Sequence, residues 1–198
     1  MTRLDKLMKL VEYKNGYILT RNLSEYNLDN KVLSEAVSKG LLIKQGHGFY
    51  TFPDTILDPY LKIQKENSKI IFSNETALHL HNLSDRTPIF YSVSVPRKSN
   101  TIKQDRNIRL YYVDEKYFDI GIVEMNDPFD NSIFVYDIDR TFCDIVKNEN
   151  KIDRQIFLEG VQNYMGSNKS NKRKALKYAE KLNVLSRVKN IFYLLQDA

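Results

Sequence analysis

The stretch that most limits how this chain can fold is residues 16–52, GYILTRNLSEYNLDNKVLSEAVSKGLLIKQGHGFYTF. Thr20 is placed to cap a first short helix that turns Leu23 and Tyr26 inward. Asn27, Leu28, Asp29 and Asn30 read as a turn, because Asn and Asp side chains bond nearby backbone. Asn30 is expected to cap a second helix, whose Leu33, Ala36 and Val37 form one apolar stripe at helical spacing. Gly40 stands where a helix end takes a left-handed residue. Residues 41–43 and 49–52 read as strands joined across Gly46-His47-Gly48, and Pro53 ends the second. Helix, turn, helix and two-stranded ribbon, in that order, is the pattern of a winged helix-turn-helix.

Burying Leu33, Ala36 and Val37 leaves Lys31, Ser34, Glu35, Ser38 and Lys39 facing solvent. A helix so dressed can enter a DNA major groove, with its first residues at base edges and its lysines near phosphates. Thr20, Arg21 and Asn22 before it, and Asn30 at its start, complete the expected DNA-facing set. Lys44, Gln45 and His47 lie on the ribbon, within reach of the DNA backbone or a minor groove. The same surface also suits a protein partner, and Glu35 opposes phosphate.

No run of about 18 apolar residues exists, so no membrane span is expected. The amphipathic opening MTRLDKLMKLVEY carries acids and does not read as a signal peptide, so a cytoplasmic protein is expected. The single cysteine, Cys143, rules out an internal disulfide and is expected to be buried. The net charge of +5 is unevenly spread. Residues 1–55 hold 8 basic and 6 acidic side chains, residues 56–150 hold 12 and 15, and residues 151–198 hold 10 and 4. The most basic segment is therefore the C-terminal one, and the ribbon and helix alone do not account for the charge.

The fold class expected is α+β. Residues 1–54, led by a helix over 2–13, form the winged domain. Residues 55–198 form a C-terminal domain of a small, mainly antiparallel sheet with several helices. A helix over 56–66 has Pro59 in its first turn. Ser73 is placed to cap a helix through His81. Strands are expected over 89–95, 108–113, 120–125 and 132–136, and helices over 152–165, 172–182 and 184–195. A basic loop carries Arg97 and Lys98, then Lys103, Arg106 and Arg109, and a basic helix carries Lys172, Arg173, Lys174, Lys177 and Lys181. Both are candidate contacts for phosphate or an acidic partner.

Two motifs invite a metal, and neither carries it. His79 and His81 lie two apart on a helix and so point different ways. Asp137 and Asp139 form a DxD at a strand end, as in a metal-dependent nucleotidyl transferase. No glycine-rich phosphate loop precedes it, and Asp139 reads better as a helix cap beside its salt-bridging neighbour Arg140. No metal, cofactor or enzymatic activity is expected.

Four segments in order carry a family resemblance: Gly48-Phe49-Tyr50 in the ribbon, His79-Leu80-His81-Asn82-Leu83, Val93-Ser94-Val95-Pro96-Arg97, and Asp139-Arg140-Thr141. Together they resemble the AbiEi family, the antitoxins of type IV toxin–antitoxin systems in abortive phage infection. The resemblance implies a repressor of its own operon that binds promoter inverted repeats in double-stranded DNA through its winged helix. It also implies that the chain counteracts a nucleotidyltransferase toxin without requiring a stable complex. The family often has a basic residue just before the Gly-aromatic motif, where this chain has His47.

Overall fold

A computed structural model of the chain describes residues 1–67, 69–99 and 107–195, so Lys103 and Arg106 lie outside the described residues. The chain is α+β and divides into two compact units, residues 1–68 and 69–198. The boundary read from the sequence, after residue 54, falls inside the first of these.

In the first unit, α1 (Arg3–Tyr13) starts at a reciprocal cap in which the Thr2 and Asp5 side chains each accept the other's backbone N–H. The strand β1 (Tyr17–Leu19) follows. The expected first helix of the helix-turn-helix is instead two 3-10 turns, Thr20–Asn22 and Ser24–Tyr26. These few residues are rich in Thr, Asn and Ser, whose side chains compete with helical backbone bonds. Thr20 does not cap: its hydroxyl donates to the Gly48 carbonyl at 3.3 Å, tying the turn to the ribbon.

Helix α2 (Asn30–Ser38) is capped by Asp29 rather than Asn30, through bonds from the Lys31 and Val32 amides to the Asp29 carboxylate. Its buried face is Val32, Leu33 and Ala36, while Val37 is 37% exposed. Gly40 takes φ +68°, the left-handed exit its position called for. Leu42 is buried in the core just ahead of β2, which runs later than expected, over Ile43–Gly46. It pairs with β3 (Phe49–Thr51), which also pairs with β1, giving an antiparallel sheet of order β1-β3-β2. The core of this unit joins Leu7, Leu10 and Val11 of α1 to Leu23, Leu28, Leu33 and Leu42. Helix α3 (Pro59–Glu66) has Pro59 in its first turn and Asp58 as its cap.

The second unit is built on a sheet of order β6-β5-β4-β8-β7. Its strands are β4 (Ile71–Phe72), β5 (Tyr91–Pro96), β6 (Ile108–Val113), β7 (Ile122–Asn126) and β8 (Ser132–Tyr136). The sheet is mixed, not mainly antiparallel: β4 with β5 and β7 with β8 run antiparallel, while β5 with β6 and β4 with β8 run parallel. Alternating apolar residues mark a strand but not its direction. The segments between these parallel partners are long enough for a crossover rather than a hairpin.

Helices α4 (Asn74–Leu80), α5 (Glu115–Phe118), α6 (Ile138–Lys147), α7 (Arg154–Gly166), α8 (Lys172–Lys181) and α9 (Leu185–Leu194) complete the unit. Residues 139–146 of α6 are all buried, so this helix is the centre of the domain. Around it Phe142 stacks on Tyr164 at 4.0 Å and on Phe192 at 5.5 Å between ring centroids. Cys143 is fully buried in the same cluster. Gly160 of α7 lies close against it: a Cβ there would stand 2.8 Å from a Leu78 methyl and 3.3 Å from Ile145, so glycine sets the helix spacing. No helix among the described residues is long and apolar enough to cross a membrane.

Candidate nucleic-acid interface

In the first unit, the solvent face of α2 carries Lys31, Ser34, Glu35, Ser38 and Lys39, all exposed. They are not equally available. Lys39 pairs with Glu35 at 2.7 Å, one helical turn back. The Ser34 hydroxyl donates to the Asn30 carbonyl at 3.1 Å, and the Ser38 hydroxyl to the Glu35 carbonyl at 2.8 Å. Lys31, at the first turn of α2, makes no ion pair among the described residues. On the ribbon, Lys44 and His47 are exposed, while Gln45 is half-buried and donates to the Thr51 hydroxyl at 3.3 Å.

The 3-10 turn before α2 brings in a further basic patch. A cavity of about 150 Å³ is lined by Lys14, Tyr17, Arg21, Asn22 and Lys65 among others. Three cations around one polar hollow form a natural seat for a phosphate group. Arg21 and Asn22 were expected there. Lys14 and Lys65 were not, because they come from the end of α1 and from α3. Thr20 is half-buried and held by Gly48, so it positions this turn rather than reaching outward.

In the second unit, Arg97 is exposed but pairs with Asp114 at 2.9 Å, and Lys98 is exposed beside it. Arg109, from the same expected basic loop, belongs to β6 and pairs with buried Glu75 at 2.7 Å. The basic helix α8 divides in the same way. Lys172, Arg173, Lys177 and Lys181 are exposed, whereas Lys174 pairs with Asp137 at 2.9 Å and lies 3.9 Å from Asp139. That bond to Asp137 raises Lys174 above the ordinary lysine range.

The two aspartates of the DxD act inside the fold. Asp137, not Asp139, caps α6 by accepting the Arg140 amide at 2.8 Å, and it also accepts the Tyr178 hydroxyl at 2.9 Å. Asp139 accepts the Tyr164 hydroxyl at 2.9 Å and the Asn171 amide at 2.7 Å, and burial pushes its carboxyl up despite these bonds. Arg140 pairs with Asp144, not with Asp139. With their oxygens engaged by protein donors, these carboxylates join α6 to α7 and α8. Among the described residues no cluster of His, Cys, Asp and Glu is placed to hold a metal ion.

Of the two histidines of the HxH motif, His81 is also built in. The His81 imidazole donates through Nε2 to the Tyr136 carbonyl at 2.7 Å, which fixes the neutral ring with its proton on Nε2. Burial lowers His81 below the ordinary histidine range, against that bond. In the unfolded chain the ring takes up a proton near pH 6.5, while the folded ring resists it to lower pH. The stability His81 confers is therefore full above about pH 6.5 and is lost as pH falls between the two values. In thermal melts, His81→Gln is expected to cost more stability at pH 7.5 than at pH 5.5. An equal cost at both would show that His81 does not titrate differently on folding.

No protein-family model matches this chain, and no curated protein matches it. Among solved structures, the chain is similar to the RV2827C protein from Mycobacterium tuberculosis, with a TM-score of 0.53 and 12% sequence identity over 98% of this chain and 81% of that one. At that identity the likeness is one of fold.

Proposed function

We propose that the first unit is a winged helix-turn-helix that binds double-stranded DNA, and that the chain is an autorepressing antitoxin of the type IV class. The observation that carries the DNA-binding reading is the grouping in one unit of the exposed α2 face, the β2-β3 ribbon with Lys44 and His47, and the hollow lined by Lys14, Arg21 and Lys65. A recognition helix, a ribbon to one side and a phosphate seat before the helix are the parts such a module uses. The two 3-10 turns take the place of the usual first helix of the motif, keeping the chain reversal while shortening the element.

The antitoxin role rests on the ordered resemblance of the four motif segments to the AbiEi family. His81, Asp139 and Arg140 of those segments make bonds inside the second unit, which leaves a toxin-opposing surface to exposed groups. The exposed cations of α8, namely Lys172, Arg173, Lys177 and Lys181, are the most concentrated such surface among the described residues of that unit. The test is a footprint on the DNA upstream of the chain's own reading frame at two salt concentrations. Two symmetric protected half-sites that fade at higher salt are expected. A folded protein that gives no protection at either salt concentration would overturn the repressor reading and leave a winged module that faces protein.

A further inference from the structure

A cavity of about 280 Å³ in the second unit opens between β5, β6 and the end of α6. Its wall carries four cations, Arg97, Arg140, Lys147 and Lys151, against one acid, Asp144. Arg140 is fully buried and most of its guanidinium is engaged. Its Nε donates to both Asp144 oxygens at 3.0 and 3.1 Å, and its Nη1 donates to the carbonyls of Tyr117 at 2.8 Å and Ile120 at 2.7 Å. Its Nη2 is buried with no hydrogen-bond partner among the described residues. A buried guanidinium N–H without an acceptor is uncommon in a well-satisfied interior. At the rim, Lys147 and Lys151 are exposed and make no ion pair among the described residues.

We propose that this cavity binds the phosphate group of a small ligand. Arg97 is paired with Asp114 and Arg140 with Asp144, so the charge left to a ligand is that of Lys147 and Lys151, and two positive charges match a dianion better than a carboxylate. A phosphate also offers three acceptor oxygens, enough to meet both rim lysines together. The volume exceeds that of the phosphate alone and leaves room for an attached group, at the small end of ligand pockets. This site lies wholly in residues 69–198, so it stands or falls separately from DNA binding by the first unit.

The test is calorimetric titration of the full chain at constant ionic strength with inorganic phosphate, adenosine monophosphate and adenosine. Inorganic phosphate, adenosine monophosphate or both should bind, and adenosine should not. The double variant Lys147→Ala, Lys151→Ala should weaken binding by about tenfold or more, through loss of two charge-assisted contacts, with an unchanged melting midpoint. Tighter binding of the monophosphate assigns the site to a nucleotide, and equal or tighter binding of phosphate assigns it to the free ion. Absence of binding by either phosphate species at about 1 mM would overturn the proposal. So would a double variant that binds as wild type, and because neither lysine is in the core, that result would not reflect a misfolded protein.

Discussion

Arg140→Met is expected to destabilise the second unit by about 3–5 kcal/mol, the usual cost of removing one member of a buried ion pair. Three losses combine. The Asp144 carboxylate, 4% exposed, would be left buried without its cation. The carbonyls of Tyr117 and Ile120 would lose their donor, at about 1 kcal/mol each. The guanidinium also lies 4.0 Å over the Tyr136 ring, a contact methionine only partly replaces. Burial works against the charge, yet Asp144 and Tyr136 hold Arg140 above the ordinary guanidinium range, so it stays ionised throughout. Denaturant unfolding would measure the effect, and adding Asp144→Leu should recover part of it. Recovery stops short because the two carbonyls stay unpaired. A loss under about 1 kcal/mol for Arg140→Met alone would mean that the pair is not shielded from water.

That prediction concerns a residue whose chemistry was visible in the sequence and whose partner was not. Asp139 and Asp144 lie one and four positions from Arg140, and the i to i+4 spacing of Asp144 gives the right geometry on one helix face. The cap shows the same limit on a smaller scale. Asp29 and Asn30 are adjacent and both able to cap, so composition does not choose between them. The buried stripe of α2 is similar: 33, 36 and 37 and 32, 33 and 36 both satisfy helical spacing, and packing against α1 selected the second. Where the signal is local and chemically narrow, it was legible. Pro59 sits in the first turn of α3, though the helix starts there and not at Ile56; Gly40 takes a left-handed φ, and Cys143 is buried.

What was not legible is set by distant pairing. β4 is only two residues long, too short for any periodic signal, yet it is the central strand, with Phe72 opposite Val93 on one side and Val135 on the other. Lys174 reads as one of five cations on a helix and is engaged by Asp137, far away in the chain. The hollow by the 3-10 turn gathers Lys14 and Lys65 from elements the helix-turn-helix pattern does not include. Charge counts along the chain find basic segments, and only the fold separates the cations already paired from those left to meet a partner.

The same distinction decides which cations the proposed DNA binding would rest on. Arg21→Ala, Lys31→Ala and Lys44→Ala together are expected to lower the slope of log affinity against log salt by about 3, since each lost phosphate contact removes roughly 0.9. At about 0.1 M salt this corresponds to a loss of roughly 10²–10³ in affinity on any duplex, because phosphate contacts carry no sequence information. All three side chains are exposed and make no ion pair among the described residues, so folding should be unaffected. Lys39→Ala should change the slope far less, because its charge is already engaged by Glu35 at 2.7 Å. Ser34→Ala, if Ser34 meets a base edge, should instead leave the slope intact and weaken the operator relative to random DNA. Filter binding or fluorescence anisotropy across a salt series separates these outcomes. If the triple variant keeps the wild-type slope, the α2 face and ribbon do not contact phosphate, and the DNA-binding reading of this unit fails.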